Sequence, residues 1–210
     1  MTKKIVITGG LGYIGTELCK IYSGVSWNNE ILVIDNRFIS ERVSQLRNWN
    51  IDFIHGDILD KDLINKHLKN ADIVHHLAGI TNVPRVKSES SDEKDSNIKL
   101  VAEEGTQNVI EAINNKCKII FPSTHVVYEG VEKIKKDILE NEETKPILSY
   151  ASSKSVNEKQ LKNSGKNYVI LRLGSVYGYS TDTARIDIMP NLFSKISSQN
   201  GTLKLFAGGR

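Results

Sequence analysis

Residues 3–18 read KKIVITGGLGYIGTEL: an apolar, β-branched run from Lys4 to Thr8, glycines at Gly9, Gly12 and Gly15, and at once a helix-like pattern from Tyr13 to Ser23. Placing the most conformationally free residues between a buried strand and a helix costs folding free energy. The arrangement makes sense where an anion must come close to bare main chain, and a dinucleotide pyrophosphate is such an anion. Gly9 permits the tight turn, Gly12 lets the backbone close on the phosphates, and Gly15 lets helix and strand pack together. The helix N-terminus adds N–H groups and the positive end of its dipole. Strand and helix flank the glycines as this motif requires. Asp35 ends the next apolar run, 20 residues past Gly15. A carboxylate there accepts from the adenosine ribose hydroxyls and repels a 2′-phosphate, which predicts NAD over NADP; Arg37, close by, weakens that preference.

Working outward, strands are expected over 31–35, 51–56, 72–78, 118–123 and 168–173, and helices over 60–69, 97–114, 150–163 and 190–198. Within 97–114, Ile98, Val101, Ala102, Val109, Ala112 and Ile113 recur at three- and four-residue spacing, with Gly105 interrupting. The strands are short, Val/Ile-rich and mostly not alternating, as in a sheet covered on both faces. Such alternation of strand and helix predicts the α/β class: a doubly wound parallel sheet with helices on both faces, joined by right-handed crossovers. Residues 1–180 are expected to form a dinucleotide-binding domain, and 181–210 the start of a second, smaller region. The segment 83–96 reads as a loop or an exposed helix start, and 129–149 as a surface connection. The ending GTLKLFAGGR (201–210) reads as a strand entering a glycine turn, in a chain cut short of a full second region.

The 210 residues suffice for one sizeable core. The formal charge of +3 is small and spread out, and the basic run at 132–136 is followed directly by acidic residues. That pattern describes a solvated surface and predicts no nucleic-acid partner. No apolar stretch approaches the roughly 20 residues that span a bilayer, and no long apolar leader precedes the first strand. No membrane partner is therefore expected. Cys19 and Cys117 are isolated, which suits a reducing cytoplasm and small buried hydrophobes. His75 and His76, being adjacent on a strand, point to opposite faces. They read as core histidines, and no metal site is expected.

Tyr150 and Lys154 are four apart and share one helix face. A phenol with an ordinary pKa of about 10 is a poor base at neutral pH, but a neighbouring ammonium and a cationic ring favour phenolate. Thr124 offers a hydroxyl to hold a substrate alcohol. After the third strand, Asp57 and Ile58 are placed to meet an adenine, although Asp57 or Asp60 equally suits a helix N-cap. Ala78 and Gly79 leave the fourth strand with little bulk, as close passage of a cofactor requires.

Taken together, TGGLGYIG (8–15), Asp35, GDILD (56–60), HLAG (76–79), STHVVY (123–128) and YASSK (150–154) resemble the extended short-chain dehydrogenase/reductase family, the NAD-dependent nucleotide-sugar epimerases and dehydratases. GTQNVIEA (105–112) and LRLGSVYG (171–178) extend the resemblance through most of the chain. It implies a Rossmann-type sheet and a catalytic trio of Thr124, Tyr150 and Lys154. It implies NAD contacts from Gly9, Gly12, Tyr13, Ile14, Gly15, Asp35, Asn36, Asp57, Ile58, Leu77, Ala78, Gly79 and Thr81, with Tyr150 and Lys154 at the nicotinamide ribose. It also implies a nucleotide-sugar substrate touched by Thr124 and Ser175, and a homodimer through the helices at 97–114 and 150–163.

The chain departs from the family pattern at several places. Dehydratases carry Asp-Glu directly after the Thr, where His125 and Val126 stand, which argues against dehydration. Ala102 replaces a common Asn, Ser175 stands where sugar epimerases carry Asn, and the family's substrate-binding region is largely absent. The resemblance implies first an epimerase acting at the sugar C4. An NAD(P)H-dependent carbonyl reductase and a non-catalytic dinucleotide-binding module are the alternatives.

Overall fold

The computed structural model describes residues 2–25, 29–81, 87–132, 136–180, 186 and 188–205. Six strands, β1 (Lys4–Thr8), β2 (Glu30–Asp35), β3 (Asp52–His55), β4 (Ile73–His76), β5 (Lys118–Thr124) and β6 (Asn167–Leu173), form one sheet in the order β3-β2-β1-β4-β5-β6. All five pairings are parallel. The connecting helices are α1 (Tyr13–Ser23), α2 (Ser40–Asn48), α3 (Lys61–Leu68), α4 (Asp92–Ala112) and α5 (Ser149–Asn163), followed by α6 (Met189–Ser198). Strand order reverses between β1 and β4, and at such a switch point the carboxyl ends of the strands frame a crevice. The chain divides into two compact units, Met1–Gly174 and Ser175–Arg210.

Because β1 is central, it is buried on both faces. Ile5 and Ile7 join Cys19, Val43 and Leu46 in the layer under α1 and α2. Val6 joins Ile64, Val109, Phe121 and Leu161 under α3, α4 and α5. The edge differs. Register through Ile7↔His75, His75↔Ile120 and Ile120↔Val169 puts Val169 in the same row as Ile7. Yet Val169 is 37% exposed and Ile7 is fully buried.

Three expectations need correction. Helix α2 was not expected: only Val43 and Leu46 supply its apolar face, with the buried Arg42 just before them, too few apolar residues for a visible period. Helix α4 begins at Asp92 rather than Asn97. Ser91 caps it by accepting from Lys94 N–H, and Asp92, Glu93 and Asp95 in the first turn suit the helix dipole. Of the two readings of 83–96, the exposed helix start is the one found from Ser91 on. Residues 201–205 form no strand, and the glycine turn expected after them lies outside the described residues. Gly105 has a packing reason: a Cβ there would strike the side chain of Ile58, so α4 lies close over the turn after β3.

Candidate functional site

At the carboxyl end of β1 the chain turns through Gly9 at φ +72°, with its N–H donated to Ile34 O at 2.7 Å. A Cβ on Gly9 would lie 2.6 Å from Ala78 N, and one on Gly15 would lie 2.6 Å from Gly10 Cα. Both glycines are therefore demanded by the protein's own backbone. Gly12 is different. A Cβ there would meet only Gly9 O at 3.1 Å and the tip of Arg37 at 3.8 Å, and α1 starts at Gly12 with no side-chain cap. Gly10, which the spacing of the motif does not single out, packs on Val33; its Cβ would sit 2.6 Å from Val33 Cγ1.

Asp35 closes β2 and is 5% exposed. Its carboxylate accepts from Leu11 N–H at 3.0 Å, from Arg37 N–H at 3.0 Å and from Arg37 Nε at 3.3 Å. The same side chain thus pins the glycine loop and anchors the cation beside it. Beyond β3, Asp57 accepts from Asn36 Nδ2 and from Leu59 N–H, both at 2.9 Å, while Asp60 is the N-cap of α3. Ile58 is buried beneath α4, so only its main chain can face a ligand. Leu77 and Ala78 are half-buried and Gly79 and Thr81 exposed past β4; Tyr13 is half-buried and Ile14 exposed on α1.

The two histidines separate as expected. Tyr22 O–H and His75 Nε2 are 2.7 Å apart on the α1 face. His76 lies on the other face, between Thr8 at 2.8 Å and Thr106 at 3.1 Å. Burial pushes His75 down to about 4; for His76, burial and then the Lys154 charge push it to about 3, so both rings are neutral at pH 7.

Strand β5 continues past its last pairing with β4, His75↔Ile120, so Pro122, Ser123 and Thr124 overhang the end of β4. Thr124 is buried and its Oγ1 accepts from Val126 N–H at 3.3 Å. From α5, Lys154 Nζ donates to Pro122 O at 2.9 Å, lies 4.3 Å from the centroid of Phe121 and 5.9 Å from that of Tyr150. Burial lowers its pKa to about 8. The helix start carrying Tyr150 is fixed by Glu129, whose Oε1 accepts from Ile147 N–H at 2.6 Å and Leu148 N–H at 2.7 Å. His125 is exposed, with Nδ1 3.1 Å from Leu173 O. Ser175 opens the second unit and is exposed.

Behind Lys154 sits a group that the sequence does not reveal. Glu158, 2% exposed, accepts from Ser123 Oγ at 2.6 Å, Arg172 Nε at 2.9 Å and Arg172 Nη2 at 2.6 Å. Burial pushes its carboxyl up, and the hydrogen bonds from Arg172 and Ser123 with the charges of Arg172 and Lys162 more than reverse this, leaving it below its ordinary value.

The profile of the NAD dependent epimerase/dehydratase family matches residues 5–210. The chain belongs to that family. Among relatives of the epimerase/dehydratase family, a UDP-N-acetyl-alpha-D-glucosaminuronate decarboxylase of Bacillus cytotoxicus is 28% identical over 100% of this chain and 66% of its own length. A CDP-paratose 2-epimerase of Salmonella typhi is 30% identical over 83% of this chain and 58% of its own. In structure, the chain is similar to a Tyr-to-Phe variant of UDP-glucuronic acid 4-epimerase from Bacillus cereus in complex with NAD and UDP-4-deoxy-4-fluoro-glucuronic acid. There the TM-score is 0.79 at 27% identity, covering 98% of this chain and 66% of that one. This chain therefore spans about two thirds or less of these relatives. The residues present fit the family's cofactor: the open face of Gly12 at an uncapped helix start suits a pyrophosphate, and Asp35 stands where a ribose would follow. Among the described residues, no helix is long and apolar enough to cross a membrane.

Proposed function

We propose that the protein is an NAD-dependent nucleotide-sugar epimerase that inverts a sugar carbon, C4, by transient oxidation to a ketone and reduction from the other face. The observation that carries this reading is the placement of the Lys154 ammonium beside the Tyr150 ring, four residues back on α5, under the overhang of β5 that ends in Thr124. Gly12, the start of α1 through Tyr13, Ile14 and Gly15, and Asp35 would hold NAD, with Asn36, Asp57, the Ile58 main chain and Leu77 to Thr81 around its adenosine half. NAD when bound supplies the hydride acceptor and donor.

Tyr150 takes the proton from the sugar hydroxyl. Lys154 spends one of its three donors on Pro122 O; the other two serve the ribose hydroxyls and the phenolate. Thr124 receives its one main-chain contact as an acceptor, which leaves its O–H to donate to the substrate oxygen. His125, with its ring against Leu173 O, replaces the acidic group that dehydration needs, which supports epimerisation over that course. A reductase reading is favoured by one feature, the Arg37 guanidinium against Asp35, where a 2′-phosphate would find a cation. Ser175 and the residues from 181 on begin the substrate region, and the chain pairs as a homodimer through α4 and α5 in a reducing cytoplasm.

The test is to incubate the full-length protein and NAD with a set of UDP- and dTDP-sugars and separate isomers by chromatography and mass spectrometry. Isomer exchange without net change in mass supports the epimerase. Net loss of water or carbon dioxide, or consumption of NADPH, would sink it.

A further inference from the structure

Helix α5 places Tyr150, Lys154, Glu158 and Lys162 at four-residue intervals, hence on one face. On such a face a carboxylate pairs with the cation a turn away on either side. Here Glu158 does not pair with Lys154. We propose that Arg172 is a positioning residue: by claiming Glu158 in a two-point ion pair, it leaves the Lys154 ammonium to Tyr150. This rests on the roles given to Tyr150 and Lys154 above.

The geometry is specific. Arg172 Nε and Nη2 meet the two oxygens of Glu158 at 2.9 and 2.6 Å, a fork-to-fork contact of the strong kind. Ser123 adds a third donor at 2.6 Å, and Lys162, itself half-exposed, stands at 3.6 Å. Arg172 is fixed from behind: it donates to Tyr128 Oη and, at 3.0 Å, to Glu140 O, and its guanidinium lies 5.1 Å from the Tyr128 ring centroid. Lys154 meanwhile reaches Pro122 O and the Phe121 and Tyr150 rings. The groups around this face are His76 from β4, Tyr128 from the turn after β5, Arg172 from β6, and Lys154, Glu158 and Lys162 on α5 itself. His76 is neutral, so Arg172 and Lys162 are the cations that compete with Lys154 for Glu158.

Without Arg172, a buried carboxylate would keep one hydroxyl and one solvated lysine. Turning to Lys154, it would draw the ammonium from the phenol. The test is a titration of phenolate absorbance on the NAD-loaded full-length protein, with the Tyr150 component obtained by subtracting Tyr150→Phe. Arg172→Met is expected to move that component alkaline by about one pH unit, the low end of what a neighbouring charge does. Arg172→Lys keeps the cation and leaves it in place. Glu158→Gln leaves an unpaired cation and moves it to lower pH. The Arg172→Met/Glu158→Gln pair returns it to the wild-type position, which a merely structural role would not do.

A double variant as alkaline as Arg172→Met, or an alkaline shift in Glu158→Gln, overturns the proposal. Should Arg172→Met not fold, Glu158→Gln and the double variant decide alone, since the proposal needs an acid shift in one and none in the other. If the component exists and ignores every one of these changes, only this proposal falls. If Tyr150→Phe removes no component, the epimerase chemistry falls and this proposal with it.

Discussion

At the Gly9–Gly15 end of the site the close approaches are between main-chain atoms, Gly9 against Ala78 N and Gly15 against Gly10 Cα, and one side chain, the Asp35 carboxylate, holds the loop by accepting from Leu11 N–H. At the Lys154 end they are side-chain contacts gathered from separate elements: Ser123 from β5, Tyr128 from the turn after it, Lys154 and Glu158 from α5, Arg172 from β6. The first end is shaped by side chains missing at Gly9 and Gly15, the second by charges that must be kept apart. Damage should therefore differ in kind. Adding a methyl group at Gly9 or Gly15 disturbs the fold, whereas removing an atom at the second end disturbs the chemistry.

The sharpest contrast is at Tyr150. Tyr150→Phe is expected to leave the denaturation midpoint and NAD affinity near wild type while lowering isomer exchange about 100-fold or more, in the range of a lost general base. Unchanged turnover would show the base to be wrongly assigned. Acid should then strike the region where the ends meet. His75 and His76 are neutral when folded, with pKa values near 4 and 3, so between those values and about 6.5 the unfolded chain binds more protons. Stability consequently falls as pH drops through that window, by about 2 kcal/mol for each ring between pH 7 and pH 5. Urea midpoints that do not move over that range would refute it.

Gly9→Ala comes next. The φ of +72° and the 2.6 Å approach to Ala78 N predict a loss of about 3 kcal/mol by urea denaturation. Gly12→Ala should spare stability and weaken NAD about tenfold by calorimetry, because its one close neighbour is Gly9 O at 3.1 Å. If both variants lose stability alike, the distinction between a fold glycine and a ligand glycine is wrong. The smallest effect is one of selectivity: Asp35→Ala should weaken NAD more than NADP. Equal losses in titration calorimetry would remove the ribose role and leave Asp35 as the anchor of Leu11 and Arg37.

The backbone-built end is legible because its determinants are local. Lys4 to Thr8, Gly9, Gly12, Gly15 and the helix from Tyr13 to Ser23 lie in one stretch, and strand, turn and helix each leave their own period. Gly10 escapes because its reason, Val33, is on the neighbouring strand. The side-chain end is legible only in its i, i+4 pair. Ser123, Glu158 and Arg172 lie 35 and 14 residues apart and meet only after β5, α5 and β6 have assembled. Glu129 likewise looks like one more acid in a polar connection until the turn brings it to Ile147.

That turn has a consequence for how such a protein can change. Gly130 N–H on Lys145 O and Lys145 N–H on Val127 O, with Glu129 on the amides of Ile147 and Leu148, tie off the neck of the excursion that leads to α5. Extra residues beyond the neck would hang outward and leave Tyr150 where it stands. One residue inserted between Tyr150 and Lys154 would rotate everything after it by about 100°, parting the phenol from both ammonium and carboxylate. An insertion library scored for folded, NAD-binding protein should fill freely at the excursion and stay empty within the helix.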